Sequence, residues 1–401
     1  MSLPLKGVRV IDLTAVISGP LCSYQLAMLG ADVIKIEVPE IGDIARRLGP
    51  DEELNKKLMG VSFWALNAGK KSITLNLKHE RGCEVLRRLL TDADVVVENF
   101  RPGTMKKLGF DYAALKQINP RIVYCAISGF GQDGPFSDRP SYDQIIQGMS
   151  GIMSVTGDET TAPTRVGYVV SDTMVSMSAA FAISSALYRQ QKTGKGEMID
   201  VSMLDSTLAT MPAWLTSAYL NAGKIPAPLG NDNPASSPSG TFRTGDGFLN
   251  IVCNDNKQFC ALCDAIGTPA LKTDPRFVER PLRVRNRTEL KALLEGALAA
   301  KGAREWDTLL NSAQVPAGLI LTLPEVLAHP QIKSRELVKR FGHVASVDRD
   351  IAVTRLGFRL SEDLPDTDLP PPLLGENTNE VLGGIGYSAD EIAELKQLNV
   401  I

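Results

Sequence analysis

"VRVIDLTAVISGPLCSYQLAMLGADVIKIE", residues 8–37, carries the pattern that decides the fold. A short β-branched run (8–13) gives way to a helical pattern in "PLCSYQLAMLG", and a second run, "DVIKIE" (32–37), follows. Pro20 suits a first helical turn, and Gly30 suits the residue just past a helix end. Both runs are apolar on alternate and intervening positions, as strands buried between two helix layers must be. The alternation continues. "SITLNL" (72–77), a helix over "ERGCEVLRRLL", "DVVVENF" (94–100), a short helix and "RIVYCAIS" (121–128) come next. A helix at 173–190, a strand in "MIDVSML" and another helix carry the pattern to about residue 222. Strands and helices in strict alternation predict a parallel, doubly wound α/β sheet.

The texture changes at "NAGKIPAPLGNDNPASSPSG" (221–240), dense in Pro, Gly, Ser and Asn, which reads as a linker or mobile loop. Beyond it, "GTFRTGDGFLNIVC" predicts a hairpin turning at Thr244–Gly247, and helices are expected at 256–266, 286–300 and 303–312. A second Pro-rich passage (364–380) leads to a terminal helix whose start, Ser388 with Glu391, is a capping box. The expected organisation is a large domain beginning at 1–222, a linker at 223–240, a small α+β domain at 241–330, and a return linker with the end of the large domain at 331–401.

A chain of 401 residues exceeds what one core supports, which also argues for two domains. The formal charge of -3, with no long run of one sign, gives no footprint for nucleic acid. No uninterrupted apolar run reaches the ~18 residues of a membrane span, so no membrane partner is expected. The N-terminus lacks a signal pattern, and six scattered cysteines read as reduced thiols; both suggest the cytoplasm. Cys260 and Cys263 form a C-x-x-C inside a helical pattern with no second pair nearby, which favours packing over a metal. No metal site is expected.

Residues 128–136, "SGFGQDGPF", contain G-x-G-x-x-G through Gly129, Gly131 and Gly134. A dinucleotide fingerprint needs these glycines at the first βα turn, with the third inside a helix. Here Pro135 follows Gly134, and the motif comes after about the fifth strand. It is a permissive loop at a strand's carboxyl end, the edge where ligand crevices form. The three histidines fall outside the loops that follow the strands, and neither a G-x-S-x-G elbow nor a phosphate-binding P-loop is present. Carboxylates remain as nucleophiles or bases. Asp172 stands at the start of a helix rich in small residues. It can be that helix's N-cap, or an ionised nucleophile toward an activated acyl group. Arg46, Arg47, Lys70, Lys71, Arg101, Lys106 and Lys107 lie near strand ends. Singly they are solvated charges; together they could hold phosphates.

"VIDLTAVISGPLCSYQLAMLGADVIKIE", "ADVVVENFRPGTMKKLGFDYAALKQINPRIVYCAISGFGQDGP", "YRQQKTGKGEMIDVSMLDS" and "LLGENTNEVLGGIGYSADEI" together resemble the class III CoA-transferases. That group includes the formyl-CoA:oxalate and carnitine CoA-transferases and the related α-methylacyl-CoA racemases. The resemblance implies a Rossmann-like large domain built from both chain ends, a small inserted domain, and an interlocked homodimer. It implies acyl-CoA and a small carboxylic acid as substrates, with no permanently bound cofactor. It places the catalytic aspartate at Asp172 and CoA contacts at Val16, Asn99, Phe100, Lys107 and Leu108, with Lys71 and Arg101 as further cationic candidates. A glutamine of the formyl-CoA enzyme is Ile17 here, which speaks against oxalate chemistry. Where racemases carry a His-Asp pair, this chain has Tyr142 and Asp143. A phenol with an ordinary pKa near ~10 is a poor proton shuttle at neutral pH, which favours a transferase over a racemase; a CoA-binding protein without turnover is the remoter alternative. Gly129 and Gly131 would let backbone amides approach the reacting carbonyl. Arg139, Arg165 and Arg243 are candidates to clamp a second carboxylate, and the 233–240 loop is a candidate lid.

Overall fold

β1 (Arg9–Asp12), β2 (Asp32–Glu37), β3 (Lys70–Thr74), β4 (Val95–Glu98), β5 (Val123–Ser128) and β6 (Glu197–Ser202) form one sheet in the order β3-β2-β1-β4-β5-β6. Every neighbouring pair is parallel. This is a computed structural model that describes residues 3–401 apart from the side chain of Trp214. The doubly wound arrangement expected from the sequence is present.

Period-two alternation sends successive side chains of each strand to opposite faces. Val10, Val95, Val97, Val123 and Cys125 pack under the helices Ser18–Met28 and Val170–Thr193. Ile11, Ile34, Val96 and Ala126 pack on the other face with Leu86, Leu89 and Leu115, and with Leu382 and Leu395 from the end of the chain. Each large aliphatic side chain so buried contributes about 1.5–3 kcal/mol. The helix after β1 ends as expected, with Gly30 at φ +96 just beyond it. The helix Val170–Thr193 is long and apolar enough, by length and composition alone, to cross a membrane; half of its apolar window is buried in the fold.

The chain divides into two units: residues 1–150, 166–210 and 333–401 form one, and 151–165 with 211–332 form the other. The division therefore falls at 210, not 222, and the second unit also takes in a stretch upstream of the long helix. In that unit β7 (Ser239–Arg243), β8 (Phe248–Val252) and β9 (Ala317–Leu319) make an antiparallel sheet over helices Asn256–Ala265, Arg287–Leu298 and Ala303–Ser312. Its core includes Phe242, Leu249, Phe259, Cys263, Leu294 and Trp306. Cys263 is thus a packing residue, and all six cysteines are free. The 233–240 stretch, a lid candidate, is fastened within this unit. Arg280 donates to Ala235 O, the buried Arg283 to Ser237 O, and Arg287 to Asn233 O. The return segment is more ordered than a linker: β10 (Val338–Val344) and β11 (Arg349–Thr354) form an antiparallel hairpin.

Two of the cations suggested for phosphate are sealed inside the first unit instead. Arg46 grips Glu37 with two hydrogen bonds of 2.6 and 2.7 Å and lies over the Phe63 ring. Lys70 donates to Asp12, Pro20 O, Ser23 and Asn67 at 2.8–3.0 Å. Burial alone would raise the Asp12 pKa, but the Lys70 and Lys35 ammonium groups and the Ser23 and Thr14 hydroxyls hold it well below the usual range. Removing one partner of such a pair strands a buried charge, at about 3–5 kcal/mol. Urea unfolding is expected to show that loss for Lys70→Met, and a smaller one when Asp12→Asn is added.

Candidate active site

The strand order reverses between β1 and β4, so the loops leaving these two strands part and open a crevice at their carboxyl ends. From β1 come Ala15, Val16, Ile17 and Ser18; from β4 come Asn99, Phe100, Arg101 and Pro102. With Gly129, Tyr142, Asp172 and neighbouring residues they enclose a cavity of about 280 Å³. A larger cavity of about 1100 Å³ lies over the ends of β1, β2 and β3, lined among others by Asp43, Asn76, Lys78, Thr104 and Leu108. Ala15 and Phe100 border both cavities.

Asn99 ties the two loops together. Its side chain accepts from Ala15 N and donates to Ala15 O, each at 2.9 Å. Phe100 N donates to Glu98 Oε2 at 2.7 Å, which fixes the corner where β4 ends. Burial pushes the Glu98 carboxyl up to about 7, against the hydrogen bonds it receives from Tyr124 and Phe100.

Asp172 is the third residue of the helix Val170–Thr193, whose N-cap is Val169 with no side-chain cap of its own. The N-cap alternative for Asp172 therefore does not hold. Capping comes from another element: Asp143 Oδ1 accepts from Ser171 N at 2.8 Å and from Asp172 N at 3.4 Å, while Gln147 donates to its other oxygen. The Asp172 carboxyl is left to face the cavity, which Ser18 also lines. Burial first, and the nearby Asp143 charge second, raise its pKa from 3.8 to about 7, partly offset by Ser18.

The remaining candidates sort by position. Tyr142 borders the cavity, starts the helix Asp143–Met149, and is 75% exposed, so it is no core aromatic. Gly129 also borders it; a Cβ there would collide with Ser141. Gly131 takes φ +93 and does not line the cavity, and its N–H is spent on Ser128 Oγ at 2.9 Å, so it offers no amide to an oxyanion. Arg101 and Arg139 border the cavity, with Arg139 stacked on Phe136. Lys107 is exposed on the short helix Thr104–Lys107 and lines neither cavity, though its neighbours Thr104 and Leu108 do. Lys71 sits at the opposite, amino end of β3, paired with Asp32 and Glu380. Arg165 and Arg243 line neither cavity. Among the described residues no group of three or more His, Cys, Asp or Glu could hold a metal ion. Sequence reasoning missed Ser18, which directly follows the Val16–Ile17 pair, and the capping role of Asp143.

Fold and site define an α/β enzyme of the doubly wound kind, with an acid in a half-closed crevice at the switch point. The chain belongs to CoA-transferase family III, whose profile matches residues 5–378. It is 44% identical to an acetyl-CoA:oxalate CoA-transferase of Acetobacter aceti over 85% of this chain and 87% of that one. It is 37% identical to a succinate–glutarate CoA-transferase of Agrobacterium fabrum, over 94% and 95% of the two chains. Among solved structures, a CaiB/BaiF family protein from Brucella suis superposes with a TM-score of 0.84 at 36% identity, over 96% of this chain and 100% of that one. The protein is a family III CoA-transferase, and the racemase alternative is not favoured.

The raised pKa of Asp172 has two measurable consequences. If Asp172 reacts as its carboxylate, kcat/KM for CoA transfer is expected to climb with pH through about 7. Asp143→Asn, which removes the raising charge, is expected to move that limb to lower pH. The native state also binds this proton more tightly than the unfolded chain, so stability is lost as pH rises from about 4 to about 7. Asp172→Asn is expected to be the more stable protein at pH 8, on the order of 2 kcal/mol, with no advantage below pH 4, as thermal unfolding would show.

Proposed function

We propose that the chain transfers CoA from an acyl-CoA donor to a carboxylic acid acceptor, with Asp172 as the nucleophile. The supporting observation is the shared cavity: a carboxyl freed from capping its own helix stands beside Val16, Asn99 and Phe100. In this reading the nucleotide end of CoA occupies the large cavity. The pantetheine arm passes Ala15 and Phe100 to bring the thioester to Asp172. Leu108 and Lys78 wall the large cavity, and Lys107 lies beside it as a cation for phosphate.

An Asp172 oxygen attacks the thioester carbon, the C–S bond breaks, and CoA thiolate leaves a mixed anhydride on the enzyme. The thiolate then attacks the Asp172 carboxyl carbon, expelling the donor acid and leaving an aspartyl-CoA thioester. The acceptor carboxylate attacks that thioester, again releasing thiolate and forming a second anhydride. Thiolate attack on the acceptor's acyl carbon yields the new acyl-CoA and restores Asp172. Each step exchanges one activated acyl bond for another, so no external energy source is needed. Water is the competitor, and a half-buried nucleophile limits its access. Tyr142, at the cavity's edge, serves as a wall of the site.

Hydroxylamine trapping tests this reading. Wild-type protein incubated with acyl-CoA is expected to yield an Asp172 hydroxamate by mass spectrometry, and Asp172→Ala to lose transfer by at least ~10³-fold. Transfer by Asp172→Ala at the wild-type rate would overturn it.

We further propose that the active form is an interlocked homodimer. Met177, Phe181 and Tyr188 project from the helix Val170–Thr193 as exposed large side chains, Phe181 at 77%. Surface of that kind favours a second protein surface over water. Light scattering is expected to give twice the 43.3 kDa chain mass; a monomer at micromolar concentration would sink the proposal.

A further inference from the structure

Val16 borders the smaller cavity with its backbone at φ +72. For a β-branched residue this left-handed conformation is unfavourable by about 1–3 kcal/mol, and it persists only where the surroundings impose it. One side chain does so. The Asp43 carboxylate accepts from Val16 N through both oxygens, at 3.0 and 3.2 Å, and its Oδ1 also accepts from Ala45 N at 2.9 Å.

Asp43 is itself held. Its Oδ2 pairs with Lys35 Nζ at 3.0 Å, both side chains being fully buried or nearly so. Lys35 also donates to Thr14 O at 2.7 Å, two residues before Val16. Asp43 N donates to Glu37 Oε2 at 2.9 Å. Asp43 borders the large cavity while its carboxylate reaches to the loop lining the small one. Ala15, on the border of both, is pinned from the other side by Asn99. The 14–16 segment is therefore tied to Lys35, Asp43 and Asn99 together, and Asp43 is the side chain that accepts from the Val16 amide.

We propose that Asp43 is a positioning residue for the transfer reaction: by holding Val16 in its left-handed conformation it shapes the passage between the two cavities. The proposal rests on the reading that acyl-CoA spans both. A displacement of about 1 Å in a reacting group can reduce rate by ~10²-fold, so a loop held by one carboxylate is a sensitive point.

Glycine at position 16 separates this role from a general structural one, because glycine takes φ near +70 without strain. Asp43→Asn is expected to lower kcat/KM by 10- to 100-fold in the native background, with the far-UV spectrum retained. In a Val16→Gly background the same substitution is expected to cost less than ~3-fold. Should Asp43→Asn fail to fold because Lys35 is left unpaired, the Lys35→Met/Asp43→Asn pair removes both charges, and the same comparison applies. Equal losses in the two backgrounds, or no loss in either, overturn the proposal. The ratio can also be read on CoA affinity by titration calorimetry. A protein that bound CoA without transferring it would sink the transferase reading and still decide the role of Asp43.

Discussion

Asp12, Glu37 and Asp43 face Lys35, Arg46 and Lys70 in a buried cluster beneath the loop that leaves β1, three charges of each sign and almost none of their surface in water. Charges removed from solvent survive only when geometry satisfies them. Here the contributing residues come from β1, β2 and β3 and from the segment just after β2, so three strand ends and a loop are fixed relative to one another. An apolar core could pack the same strands. It could not set the direction of individual amides in the loop, and the crevice at the switch point depends on those directions.

The cluster and Asp172 follow opposite rules. In the cluster each acid has a cation beside it. Asp172 is largely buried and lies near the Asp143 carboxylate, with only the Ser18 hydroxyl to offset these, so its charged form is disfavoured and its pKa rises. A carboxylate held in this way is less stabilised in its resting state and more ready to attack. The same arrangement loads the fold above neutral pH.

The β-branched runs of the large sheet were legible because period and residue type agree at each strand, and the Thr244–Gly247 turn and the Ser388 capping box for the same reason. The β10–β11 hairpin was not, because Lys339, Arg340, Gly342 and His343 break the alternation of apolar and polar positions in β10 and give the stretch a polar look. Arg46 and Lys70 were read as surface cations, since composition says charges lie outside; only tertiary partners reveal the exception. The freedom of Asp172 from capping is not legible locally, because the cap comes from Asp143, 29 positions earlier in the chain. Nothing local suggests that valine 16 would adopt a glycine-like backbone.

Because a neighbouring acid terminates the long helix, scaffold and reagent are separable at its first turn. Side chains of other chemistry can stand at position 172 without unravelling the element that presents them. In this chain the residue at position 172 can thus be exchanged while the helix start stays in place.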